Sequence, residues 1–148
     1  MKSYYLTLLT LLALSGLSPM AIAQAPPETI PATSLDKEEH LLDGTSFTFQ
    51  YQNAGAMDIA FADGFLTYTW IAGRNAGEPE RSFPYKSRKV SDDVYLVNWH
   101  EPDAKNFVTM VYNFKSNSCA VSVISRYGSE KPFRGFQGGV IEHIKKKS

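Results

Sequence analysis

From Gly44 onward the chain alternates apolar and polar residues in short runs, each ended by residues that favour turns. In Ser46–Tyr51, Phe47, Phe49 and Tyr51 fall on one side, with Thr48 and Gln50 on the other. Side chains along a strand point to opposite faces in turn, so this spacing predicts a half-buried strand. The same reading predicts strands over Ala56–Phe61, Phe65–Ile71, Ser82–Val90, Val94–His100, Phe107–Phe114, Cys119–Ser125 and Gly138–Ile144. Between them lie Gln52-Asn53-Ala54-Gly55, Ala62-Asp63-Gly64, Ser91-Asp92-Asp93 and Lys115-Ser116-Asn117-Ser118, all with turn chemistry. Links this short join antiparallel neighbours, because a parallel crossover needs a dozen or more residues.

Roughly eight short antiparallel strands, with no long amphipathic helix among them, make a small closed barrel or a sandwich. The inward rows favour the barrel. They are rich in rings with polar tips, such as Tyr51, Tyr68, Trp70, Tyr95 and Trp99, where a sandwich core would hold more branched aliphatics. The expected fold is therefore all-β: an antiparallel eight-stranded barrel over residues 42–148. The run Phe107–Phe114 is apolar on both sides, so its alternation does not say which side faces in.

The first residues follow a different pattern. Met1 and Lys2 are followed by an almost unbroken apolar run from Tyr4 to Leu17, then Pro19 and the small-residue triplet Ala21-Ile22-Ala23. This is the layout of a secretory signal peptide over residues 1–23, cut after Ala23. The apolar run of about 14 residues is shorter than the roughly 20 that span a bilayer. Residues 24–41 carry Pro26, Pro27 and Pro31 and are expected to form an extended or weakly helical leader, with Ser34 able to cap one turn. The mature chain is expected in the periplasm or outside the cell, without a membrane anchor.

Charge excludes some partners. Fifteen basic and fifteen acidic residues cancel, and no long basic stripe suits nucleic acid. Cys119 is the lone cysteine, so no internal disulfide and no cysteine-based zinc site is expected; its neighbours Ala120-Val121 suggest a core position. His40, His100 and His143 lack the spacing of a metal motif, and no cofactor is expected. Gly73-Arg74-Asn75-Ala76-Gly77 lacks the Gly-Lys-Ser/Thr ending of a phosphate loop and reads as a loop needing positive φ.

One strand ends unusually. Tyr95, Val97, Trp99 and Glu101 share a face, so a carboxylate closes an apolar row, while His100 should point outward. A carboxylate placed there sits near a rim, is paired, or serves chemistry. Pro102 ends the strand, because it cannot donate to the ladder. The expected binding set is Phe49, Tyr51, Tyr68, Trp70, Val97, Trp99 and Glu101, with Phe107, Thr109 and Val111 from the neighbouring strand. The expected partner is a small aromatic or amphipathic molecule. Should the chain be an enzyme, Glu101 and Tyr51 are its catalytic candidates. An interaction module with a packed interior is the other open reading, and monomer and homodimer both remain open.

Leu42-Asp43-Gly44, Phe47–Tyr51, Tyr68, Gly73 with Ala76-Gly77, and Val94–Pro102 resemble the ordered landmarks of two lipocalin-like groups. One is the MoaF-like family, named for molybdenum-cofactor biosynthesis protein F; the other is the bacterial phenolic acid decarboxylases. Both resemblances imply a calycin-type barrel with a central pocket, the first with a binding or accessory role. The second implies a cofactor-free lyase with its pocket glutamate at Glu101 and the second of its substrate-orienting tyrosines at Tyr51. Phe49 stands where that group has its first tyrosine, and Glu78 where it has an arginine, with Arg74 and Arg81 the nearby cations. An arginine clamps a carboxylate and a glutamate repels it.

Overall fold

Eight antiparallel strands close on themselves in chain order in the computed structural model, which describes residues 40–146. They are β1 (Ser46–Tyr51), β2 (Ala56–Ala62), β3 (Phe65–Ala72), β4 (Arg81–Ser91), β5 (Val94–Glu101), β6 (Asn106–Asn113), β7 (Ser118–Ser125) and β8 (Phe133–Lys145). Each pairs with the next, and β1 pairs with β8, so the sheet closes into a barrel. The barrel, rather than the sandwich, is the fold. The signal peptide expected over 1–23 and most of the leader expected over 24–41 lie outside the described residues.

The strands match the alternating pattern except at one point. β8 begins at Phe133, five residues earlier than the alternation predicts. Gly135, Gly138 and Gly139 leave the hydrophobic rhythm blank there, yet the ladder to β7 starts at Ser125–Phe133. Gly139 is what lets β8 meet β1. A Cβ at this position would lie 2.1 Å from the Gln50 carbonyl oxygen and 2.6 Å from the Phe49 ring. The ring fills the space a side chain would otherwise take, much as aromatics cover glycines in other curved sheets.

The two ends of the barrel are built differently. At one end lie the β2–β3, β4–β5 and β6–β7 turns. The β2–β3 turn uses Asp63 and Gly64 with φ of 52° and 79°, suited to the type I′ hairpin that follows strand twist. A short turn from Leu41 to Gly44 plugs this end and buries Leu42. Asp43 anchors the plug: its carboxylate accepts from the Gly64 N–H at 3.0 Å and from the Tyr85 hydroxyl at 3.0 Å. The Tyr85 oxygen in turn accepts from the Leu42 N–H at 3.2 Å. Above the plug, Phe47, Phe61, Tyr85, Tyr112 and Phe114 pack edge to face, with ring centroids 4.8 Å apart for Phe61–Tyr85 and 5.0 Å for Phe47–Tyr112. A middle layer of Phe49, Ile59, Leu66, Val97, Met110 and Ile141 is fully buried. Cys119 is buried too, as its neighbours suggested.

At the other end the ladder between β3 and β4 runs only from Phe65–Pro84 to Tyr68–Arg81. Beyond it β3 continues to Ala72 with no partner on β4, and the chain departs through residues 73–80. This gap, with the β1–β2, β5–β6 and β7–β8 turns around it, makes the open end.

Two substitutions test this account. Asp43→Ala leaves the buried Tyr85 hydroxyl and the Gly64 N–H without an acceptor and is expected to lower unfolding free energy by about 2 kcal/mol in urea denaturation. Gly139→Val drives a branched side chain into the β1 backbone, so a cooperative thermal transition should shift down sharply or disappear.

Candidate functional site

The open end encloses a cavity of about 310 Å³. Its floor is Met57, Val108, Val121 and Val123, its walls are Tyr51, Tyr68, Trp70 and Trp99, and its rim holds Arg74, Asn75, Glu78 and Phe133. Each wall residue sits on an inward position of its strand, which is why alternation found it. Tyr51 and Trp70 stack nearly parallel, with centroids 5.5 Å apart and planes 17° apart.

Glu101, the last residue of β5 beside the β5–β6 turn of the open end, lines this hollow and is 3% exposed. Its Oε1 accepts from the Tyr68 hydroxyl at 3.0 Å and from the Trp99 indole N–H at 2.9 Å. Its Oε2 accepts from the Asn106 amide at 3.0 Å, and the Arg81 guanidinium lies 3.5 Å away. All four neighbours are donors, which is what an ionised carboxylate requires of its surroundings. Local structure explains the convergence. Trp99 and Glu101 share a face two residues apart, Asn106 pairs with Glu101 across the tight β5–β6 turn, and Tyr68 pairs with Arg81 across the last rung of the β3–β4 ladder.

Arg81 is tied twice. Its other nitrogen grips both Asp103 oxygens at 2.6 and 2.7 Å, and its guanidinium lies 4.9 Å above the Phe83 ring. Two carboxylates thus flank one cation. Burial pushes the Tyr68 phenol well above its ordinary range, and the Glu101 charge adds to the effect. Burial likewise raises the Tyr51 phenol, with Cys119 and Glu101 contributing. Both stay neutral donors at neutral pH.

The structure brings Tyr51, Tyr68, Trp70, Trp99 and Glu101 together around the hollow. Phe49 and Val97 face inward but lie in the packed layer, each 0% exposed and not part of the cavity lining. Phe107, Thr109 and Val111 are a correction: they point to the outside of the barrel, and Phe107 is 40% exposed. Register decides this, because Trp99 faces Val108 and Val97 faces Met110, so the even-numbered residues of β6 point in. His100 is outside, as expected, against Tyr127.

Sequence reading missed Asn106, Val108, Val121, Val123, Phe133 and Gln137. Arg81 entered it only as a nearby cation, because the predicted strand began one residue later. The signal for Asn106 was present: a four-residue link after Glu101 places it directly opposite. Gly73 has φ of 94° and Gly77 of 88°, as that loop's composition implied. Gly73 also presses on the β1–β2 turn, where an added Cβ would lie 2.3 Å from the Ala54 carbonyl oxygen. The two turns lock backbone to backbone, which fixes the rim around Arg74 and Asn75.

A closed eight-stranded antiparallel barrel, plugged at one end and hollow at the other, is a lipocalin-like barrel. A sequence profile of the MoaF-like family matches residues 43–136, more than half of the chain, and the protein belongs to that family. Among solved structures it is similar to a protein from Burkholderia vietnamiensis, provisionally described as a beta-lactamase. The two share 18% identity and a TM-score of 0.56, over 72% of this chain and 98% of the other; the likeness speaks to the fold. No curated protein matches the sequence.

Removing the carboxylate should be expensive. Glu101→Leu strands two buried donors, the half-buried Asn106 amide and a guanidinium, with an expected loss of about 3 kcal/mol in urea denaturation, whereas Asp103→Ala on the exposed turn should cost no more than about 1 kcal/mol. The tyrosines also set an alkaline limit. Tyr51, Tyr68, Tyr85 and Tyr112 all titrate above the ordinary phenol value in the folded state. Below about pH 10 the phenols are protonated in both states and stability is fully present; above it the unfolded chain releases protons that the folded chain retains. Stability should therefore fall as pH rises past about 10, and the tyrosinate absorbance of these four residues should appear together with loss of fold rather than before it.

Proposed function

We propose that this protein is a small-molecule-binding barrel, exported to the periplasm or beyond, whose open-end hollow takes a planar or amphipathic molecule. The observation that carries the proposal is the cavity itself: about 310 Å³ between the Tyr51–Trp70 stack and the hydrogen-bonded Glu101. That volume lies at the lower end for small-ligand sites, and a mostly aromatic wall with a few convergent polar groups is their usual lining. The carboxylate organises one wall of the site, because its oxygens already have partners. Ligand contact then falls to the ring faces, the Tyr51 hydroxyl and the rim. Export rests on the basic, apolar and small-residue order of residues 1–23.

Neither alternative draws comparable support. An interaction module using a barrel edge would have only the short β3–β4 gap, where residues 69–72 lack a β4 partner, since β1 and β8 are paired. A decarboxylase-like lyase needs a cation aimed at its substrate's carboxylate; Arg81 already serves Asp103 and Glu101, and Arg74 lies on the exposed rim. Incubation with p-coumaric acid should accordingly leave that acid's absorbance unchanged.

Both tryptophans of the chain line the hollow, so their emission reports its occupancy. Titration with neutral planar aromatics such as 4-ethylphenol or indole should change tryptophan fluorescence saturably. Trp70→Ala or Tyr51→Ala should weaken binding about tenfold, near the upper end of what one aromatic pair contributes. Phe107→Ala, on the outer wall, should leave it unchanged. Absence of saturable binding by any such compound would remove the proposal.

A further inference from the structure

Resting on the pocket reading above, the geometry points to a ligand class: we infer that the hollow selects a cationic amine carried on an aromatic or apolar body, and discriminates against carboxylates. Three features of the open end support this.

The first is the walls. Tyr51, Tyr68, Trp70 and Trp99 surround one small space, and a ring face is the negative part of an aromatic quadrupole. Ring faces turned toward one volume suit a cation better than an anion. Two of these rings are further polarised, because the Tyr68 hydroxyl and the Trp99 N–H both donate to the Glu101 carboxylate. Donation toward a negative group leaves more electron density on the donor ring.

The second is the balance of charge. Glu101 lies buried in the cavity wall, and Arg81, its ion-pair partner, is also held by both oxygens of Asp103. One guanidinium shared by two carboxylates leaves this group one negative charge in surplus, with Glu101 and Arg81 on the cavity lining and Asp103 on the exposed turn. An entering carboxylate would have to displace Asp103 from Arg81 and then approach Glu101. An entering ammonium meets neither obstacle.

The third is the rim. Glu78 lines the cavity mouth, and among the described residues no cation lies within ion-pair distance of it. A cationic ligand could use it as a first contact. Arg74 lines the same mouth and is exposed, as Glu78 is, so the two rim charges offset one another and the group formed by Glu101, Arg81 and Asp103 decides the sign.

The test compares three probes that share a phenol ring and differ at the chain end: tyramine, 4-ethylphenol and 3-(4-hydroxyphenyl)propionate. Affinities are measured by calorimetry and tryptophan emission at neutral pH on the folded full-length mature protein. Tyramine is expected to bind about tenfold or more tightly than the propionate, with 4-ethylphenol between them. Asp103→Asn sits on an exposed turn and should fold normally by circular dichroism. It releases Arg81 and is expected to narrow the tyramine-to-propionate ratio, as is Glu78→Gln at the rim. If 4-ethylphenol binds and the propionate binds as tightly as tyramine, the amine preference is overturned and the pocket survives. If the ratio is unchanged in both variants, the charge basis of the preference is overturned. If none of the three binds, the pocket reading falls and takes this inference with it.

Discussion

Closure of β1 against β8 is the constraint on which the rest depends. The strands meet where Gly139 lets the β1 backbone approach within a distance no side chain would allow, and the Phe49 ring occupies the vacated space. Once the sheet is closed, every strand has an inside and an outside, and a shift of one residue would exchange them. The identity of the cavity lining follows from that topological fact.

A barrel of eight strands has an interior just wide enough for side chains to fill it or to leave room for one small ligand. This protein does both, at opposite ends. The plug of Leu42 and Asp43, with the aromatic cluster above it, fills one half as a conventional core. In the other half the residues at equivalent inward positions are as large, but their polar tips are drawn toward Glu101. Tyr68, Trp99 and Asn106 bend their hydrogen-bonding groups to one carboxylate, and space remains between the rings. The short β3–β4 ladder then leaves this half with an entrance. A structural role for Glu101 and a ligand role for the hollow are thus the same arrangement seen from two sides.

Much of the architecture was legible because strands of an antiparallel barrel are half buried, and half burial writes itself as alternation. Phe47–Phe49–Tyr51, Met57–Ile59–Phe61 and Leu66–Tyr68–Trp70 announced their inward rows directly. Failures came where that code was degenerate. In β6 both faces are apolar, because the outer wall carries Phe107 and Val111, so alternation could not distinguish the faces and Thr109 was assigned to the wrong one. In β8 the glycines and the polar Arg134 and Gln137 of the segment from Phe133 to Gly138 erased the rhythm, and with it the contributions of Phe133 and Gln137 to the cavity.

Alone, the chain determined that there are about eight antiparallel strands, which faces of most of them are apolar, and that a carboxylate ends one apolar row. These are local properties, set by side-chain alternation and turn residues within a few positions of one another. Tertiary structure decided that Glu101 meets Tyr68, Arg81 and Asn106, that Arg81 is shared with Asp103, and that only one half of the barrel is hollow. Those facts depend on register between strands and on how large side chains divide a closed volume, and neither quantity is carried by any single segment.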